Sequence, residues 1–166
     1  MNGHNAYKTI SYILLIIGGL FGFMCFIMFF MALANPSILL PVIIMMAVVA
    51  YIIVSFIFFN KGMLQLKKLN PSLRSWIKTT SYFTLFFSVN ILISGIVYLY
   101  NPVNLAVLME QGFAAQKDMP KVSPEFINGV FKGTLYFMIF FATTLLIHVF
   151  ETFKFLKLYA NLFEKE

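Results

Sequence analysis

A pentapeptide near the N-terminus, Lys8-Thr9-Ile10-Ser11-Tyr12, returns as Lys78-Thr79-Thr80-Ser81-Tyr82. Each copy opens a long apolar run, and each run ends at an Asn-Pro step, Asn35-Pro36 and Asn101-Pro102. A second apolar run follows each step. The pattern predicts a membrane helical hairpin written twice, the first copy over about 7–69 and the second over about 77–162. The expected fold is an all-α integral membrane protein, a single four-helix domain over 1–166. Its halves form parallel repeats, related by an axis along the membrane normal.

Charge is too scarce for a soluble globule. Charged residues make up 11% of the chain and hydrophobic residues 61%, whereas an ordinary soluble domain carries about 25% charged residues. The surplus apolar surface has to face lipid. A net charge of +6 would suit nucleic acid if it were spread along the chain, but the cations collect just beyond the apolar runs, so no nucleic-acid partner is expected. Cys25 is the only cysteine, which excludes an intrachain disulfide or a zinc cluster.

A bilayer core takes roughly 20 apolar residues in helix. Ile10–Ala34, Ile38–Phe59, Thr79–Tyr100 and Gly133–Phe150 each approach that length without a charged residue. The fourth is short and is expected to begin near Phe126, with Lys132 reaching outward to the headgroups. Pro41 falls in the first turn of the second run, where a missing N–H is harmless. Lys8, the group from Lys61 to Lys78, and Lys154, Lys157 and Lys165 share one side. Lys117, Lys121 and Lys132 on the other side are balanced by Glu110, Asp118 and Glu125. The positive-inside rule then places both termini in the cytoplasm of a multi-pass cell-membrane protein. Ala32-Leu33-Ala34 imitates a signal-peptide cleavage site, but the first run exceeds the ~7–15 residues of a signal core.

Asn35-Pro36-Ser37 makes a tight link between the first two helices. Asn70 is placed to cap a helix beginning at Pro71. The second and fourth helices are expected to continue as short basic amphipathic tails, Met63–Leu69 and Phe153–Leu158. Leu105, Leu108, Met109 and Phe113 follow helical spacing, which predicts a short amphipathic helix in the outer loop.

Candidate chemistry is sparse. No span holds an acidic residue, and no His–His or Glu-x-x-His pair signals haem or a di-metal centre, so neither an enzyme nor a bound cofactor is expected. His148 lies near the inner end of the fourth helix with Glu151 three positions on, a pair able to bind a metal or relay a proton. Asn90 and Ser94 lie one turn apart at mid-span, with Tyr51 and Thr143 at similar depth. These four are expected to form an interhelical hydrogen-bond cluster for packing, or else a polar permeation site. Met24, Met28 and Met31 follow helical spacing beside Cys25, with Met45 and Met46 on the second helix. Soft sulfur ligands suit Cu(I), and the Met24-x-x-x-Met28 spacing is similar to the paired methionines of copper transporters over those two residues. Methionine is also the usual filler of irregular apolar gaps. Gly18 with Gly22, and Gly129 with Gly133, have the spacing that lets helix backbones approach closely.

Taken together, these residues point to a non-catalytic accessory or interaction subunit of a membrane complex, or to a homo-oligomer. The alternatives are a small transporter or channel built on the Asn90 group, and an intramembrane copper-handling protein holding metal through Met24, Met28, Met45 or His148.

Overall fold

A computed structural model describes residues 2–101, 107 and 124–163. Four long helices dominate it: α1 (Asn2–Ala34), α2 (Leu39–Ile57), α3 (Pro71–Tyr100) and α4 (Pro124–Leu158). Among the described residues there is no strand. Four helical stretches are long and apolar enough to cross a membrane: His4–Ala34, Pro36–Leu64, Pro71–Tyr100 and Glu125–Leu158. The outer-loop helix expected around Leu105–Phe113 lies outside the described residues.

The elements begin and end where local chemistry directs. Asn35 caps a 3-10 turn, Pro36–Ile38, its Oδ1 accepting from the Ser37 N–H at 3.2 Å and the Ser37 hydroxyl at 2.7 Å. Pro36 takes the first turn of that element, where a missing N–H costs nothing. Asn70 does the same for α3, its Oδ1 accepting from the Ser72 N–H at 2.9 Å. Beyond Ile57 the helix widens into a π-helical segment, Phe58–Leu64. Leu66 follows with φ of 50°, a left-handed conformation that costs an L-residue about 1–2 kcal/mol. The Lys67 N–H closes this end onto the Lys61 carbonyl at 3.0 Å.

The expected tail of α4 does run on as helix to Leu158, whereas the tail after α2 does not. The chain after α2 turns back, and Leu69 packs over Gly62, where an added Cβ would stand 2.8 Å from the leucine Cδ1. The Leu69 N–H also bonds the Leu162 carbonyl at 2.8 Å. After α4 a 3-10 turn, Ala160–Phe163, buries Leu162 and Phe163, and the Phe163 ring stacks on Phe58 with centroids 5.7 Å apart. Apolar side chains of the tails are used to close one end of the helices, which is called the basic end below.

The described structure divides into two compact units, Met1–Phe87 with Thr144–Glu166, and Ser88–Thr143. In the first, α1 and α2 approach closely at Gly18: a Cβ there would stand 2.9 Å from Ile52 Cγ2. Gly22 is looser, 3.4 Å from Val49 Cγ1. In the second unit Gly95, a glycine outside either expected pair, plays that part for α3 against Ile139 of α4, at 2.7 Å. Gly129 and Gly133 have no atom within 4 Å of an added Cβ among the described residues, so no close helix approach is made at either of them there.

Burial follows the sequence repeat. From Ser11 to Met28 and from Ser81 to Tyr98, buried, half-buried and exposed positions follow in the same order. The buried set is Ser11, Leu14, Gly18 and Cys25 in α1, and Ser81, Thr84, Ser88 and Gly95 in α3. Ser11 and Ser81 also make the same bond, each hydroxyl donating to the carbonyl four residues back, Tyr7 at 2.8 Å and Ile77 at 2.6 Å. Likewise Tyr51, Ile52, Ser55, Phe58 and Phe59 are buried in the register that Phe141, Ala142, Leu145, His148 and Val149 follow in α4.

The glycine contacts give a direct check. Gly18→Leu should destabilise the chain by about 1–3 kcal/mol, the usual cost of forcing bulk into a filled space. Gly129→Leu should leave stability unchanged. Thermal unfolding in detergent reads both.

Candidate functional site

The residue types that can do chemistry gather in one place. His148 of α4 is 1% exposed and is bonded through both ring nitrogens. Its Nε2 lies 2.9 Å from Ser11 Oγ on α1, and its Nδ1 lies 2.7 Å from the Tyr51 hydroxyl on α2. Thr152, one turn beyond His148, bridges the same helices, 3.0 Å from the Tyr7 hydroxyl and 2.9 Å from that of Tyr51. All five side chains are buried. The pairs Tyr7/Ser11 and His148/Thr152 are each four residues apart, so each pair shares a helix face. That spacing presents two polar groups to one partner.

Donors and acceptors can be assigned. Ser11 and Thr152 each donate to a backbone carbonyl of their own helix, Tyr7 O at 2.8 Å and His148 O at 2.7 Å. Thr152 Oγ1 is then an acceptor for the tyrosines. With a neutral imidazole, the six contacts just named share only five hydrogens, four from hydroxyls and one from the ring. If Nε2 carries the hydrogen it donates to Ser11, Tyr51 donates to Nδ1, and the Tyr51–Thr152 contact has none. If Nδ1 carries it, Tyr51 donates to Thr152 and Ser11 turns to Nε2, leaving the Tyr7 carbonyl. The network has two arrangements that differ only in hydroxyl rotation and ring tautomer.

Aromatic rings close the cluster. The Tyr7 ring stacks on His148 at 4.6 Å with planes 6° apart. Tyr7 also packs against Phe59 and Phe155, centroids 5.8 and 4.9 Å away, and the same two rings flank His4. Water is thereby kept from bonds whose strength depends on a dry setting.

The residues singled out from sequence are placed differently. His148 is buried and does not pair with Glu151, whose carboxylate accepts from Lys154 Nζ instead. Tyr51 is indeed a polar link between helices, but its partners are His148 and Thr152. Asn90, Ser94 and Thr143 are exposed. Thr143 donates to the Ile139 carbonyl of its own helix at 2.8 Å. Tyr7, Ser11 and Thr152 join the site from the ends of the apolar runs, and only the four-residue spacing of Tyr7 with Ser11 and of His148 with Thr152 marks them in the sequence.

The sulfur side chains are divided between surface and interior. Met24, Met31 and Met46 are 52%, 59% and 46% exposed, and Met28 and Met45 are half-buried. Cys25 is buried, and with Met46 it lines an apolar cavity of about 480 Å³ whose other walls include Phe26, Phe29 and Phe30. Among the described residues no group of three or more His, Cys, Asp or Glu side chains is placed to hold a metal ion. No family model, curated protein or solved structure matches this chain.

Two outcomes are expected. Tyr51→Phe should cost about 1–3 kcal/mol, because it leaves a buried ring nitrogen or threonine oxygen short of a partner. The cycle pairing it with His148→Phe should show coupling of roughly 0.5–3 kcal/mol, read from unfolding midpoints. The double substitution Met24→Leu, Met28→Leu roughly conserves volume and should cost under ~1.5 kcal/mol. Stoichiometric copper on the purified parent, lost in that variant, would overturn the packing reading of the methionines.

Proposed function

We propose that this chain is a non-catalytic multi-pass membrane protein, built as two parallel hairpin repeats, that acts as an accessory subunit of a membrane complex or as a homo-oligomer. The observation that carries the reading is the division of side chains between inside and outside. The outward positions of the long helices hold Ile16, Leu20, Phe23, Ile93, Phe140 and Ile147, and the polar groups of His148, Tyr51, Ser11 and Thr152 are sealed within. A soluble protein does the reverse, and large exposed apolar faces on one mark a surface that must be covered. Lipid and neighbouring helices are the natural cover for faces of this length.

The matched burial of α1 with α3, and of the inner halves of α2 and α4, supports the two-hairpin reading. The cation distribution supports termini in the cytoplasm. A transporter would line a route with polar groups reaching from one side to the other. Tyr7, Ser11, Tyr51, His148 and Thr152 instead bond to one another beside one end, which favours a structural or partnering role over transport.

The reading is tested by labelling and by mass. A membrane-impermeant thiol reagent should reach a cysteine placed at Gln116 from outside and one at Ser72 only after permeabilisation, in a Cys25→Ala background. The reverse pattern would overturn the orientation. Cross-linking in native membranes should capture a second copy or a distinct membrane protein, and a chain that stays monomeric and alone would count against a partnering role.

A further inference from the structure

We propose that the basic end of α3, with the groove beside it, is a binding site for an anionic phospholipid. The inference rests on the reading that α3 crosses a bilayer. Arg74, Lys78, Tyr82 and Phe86 follow one another at intervals of four residues, so they lie along one stripe of the helix. At 1.5 Å per residue the stripe runs about 18 Å from Arg74 to Phe86, close to the depth from headgroup to the middle of a bilayer whose core is about 30 Å thick. Chemistry changes along it in the order a phospholipid requires: guanidinium and ammonium, then a phenol, then an apolar ring.

Arg74 lies over the face of Phe163, its guanidinium carbon 5.9 Å from the ring centroid, and its Nε is buried with no hydrogen-bond partner among the described residues. Among those residues no carboxylate pairs with it, and Glu151 is taken by Lys154. The N-terminus of α3 at Pro71 adds the positive end of a helix dipole. The apolar end has room: Tyr82, Phe83 and Phe86 with Leu40 and Ile44 of α2 line a cavity of about 440 Å³. Cations alone would serve any phosphate, whereas a groove that begins at Tyr82, one turn beyond Lys78, selects a phosphate that carries an acyl chain.

Trp76, the single tryptophan, is two residues from both Arg74 and Lys78 and so lies on the opposite face of α3. The reporter is therefore Tyr82→Trp, at a residue that lines the groove one turn beyond Lys78, in a Trp76→Phe background. The full chain carrying these two changes is reconstituted in phosphatidylcholine liposomes containing phosphatidylglycerol brominated on the upper acyl chain, with brominated phosphatidylcholine as the comparison. Phosphatidylglycerol should quench this tryptophan more strongly at equal mole fraction. A cation near the surface is worth about fivefold in affinity, so Lys78→Gln, which alters an exposed residue, should reduce the preference by about that factor. Adding Arg74→Gln should abolish it. Ile44→Phe, which fills the groove without changing charge, should weaken the quenching. Equal quenching by both lipids from a chain that floats with the liposomes would overturn the lipid site and leave the membrane reading intact. Failure to float would overturn both. Relief of quenching by inorganic phosphate at constant ionic strength would show a site for free phosphate and overturn the proposal.

Discussion

The His148 ring is the point at which three helices are tied together by direction as well as by proximity. Each helix satisfies its own backbone, so side chains alone can connect one helix to another. Apolar side chains that leave lipid for a neighbouring helix gain little, because both surroundings are hydrocarbon. A ring with one nitrogen fixed on Ser11 of α1 and the other on Tyr51 of α2 has no such freedom. Turning α4 by one residue would swing the ring about 100° away from both partners, so the register of α1, α2 and the inner half of α4 hangs on it.

The repeat-equivalent positions form an internal control. Where α1, α2 and α4 supply Tyr7, Ser11, Tyr51, His148 and Thr152, matching by burial gives Ile77, Ser81, Phe141, Phe58 and Gly62, and these too are buried. Only the serine is polar in both sets. The same helical architecture therefore tolerates apolar filling at these places, which weakens any argument that the histidine cluster exists only to stabilise. If the hairpins are equivalent as proposed, a chain with two similar halves risks pairing a half with its own copy, a route to domain swapping. Seating Phe58 in place of His148 against Tyr7, Ser11 and Tyr51 would leave buried hydroxyls without partners, at a cost of about 1–3 kcal/mol each. The cluster thus discriminates between the halves as well as joining them.

The long helices were legible in the sequence because length and apolarity are properties of a single segment. The Asn70 cap and the tight link at Asn35-Pro36 were legible for the same reason: an Asn-Pro step carries its own geometry. The polar cluster was only half legible. Tyr51 and His148 stood out one at a time as polar groups in apolar runs, but assigning their partners requires knowing which helix faces meet. Glu151 looked like the partner of His148 by spacing, yet Lys154 lies on its solvent side and claims it. The glycine motifs divide in the same way. Gly18 meets Ile52 while Gly129 meets nothing among the described residues, because a small residue matters only where a neighbour arrives. Gly95 stands alone in its span, without the paired spacing that would have drawn attention to it.

The two ends of α1 and α2 are held by different devices, and their surroundings account for the difference. Toward the Asn35 turn the helices rely on Gly18 and Gly22, whose packing needs no protection from water. The polar knot sits at the basic end, where, if the helices cross a membrane as proposed, water is closest and would compete for every hydrogen bond. It works there because rings shield it: Tyr7 lies flat on His148, Phe59 and Phe155 pack against Tyr7, and His4 lies against both phenylalanines. A hydrogen bond in such a dry setting is electrostatically stronger than one in water, and an unpaired group there is correspondingly costly. The aromatic cover and the hydrogen-bond cluster are thus one device: removing the cover would admit water and convert a directional tie into an ordinary polar patch.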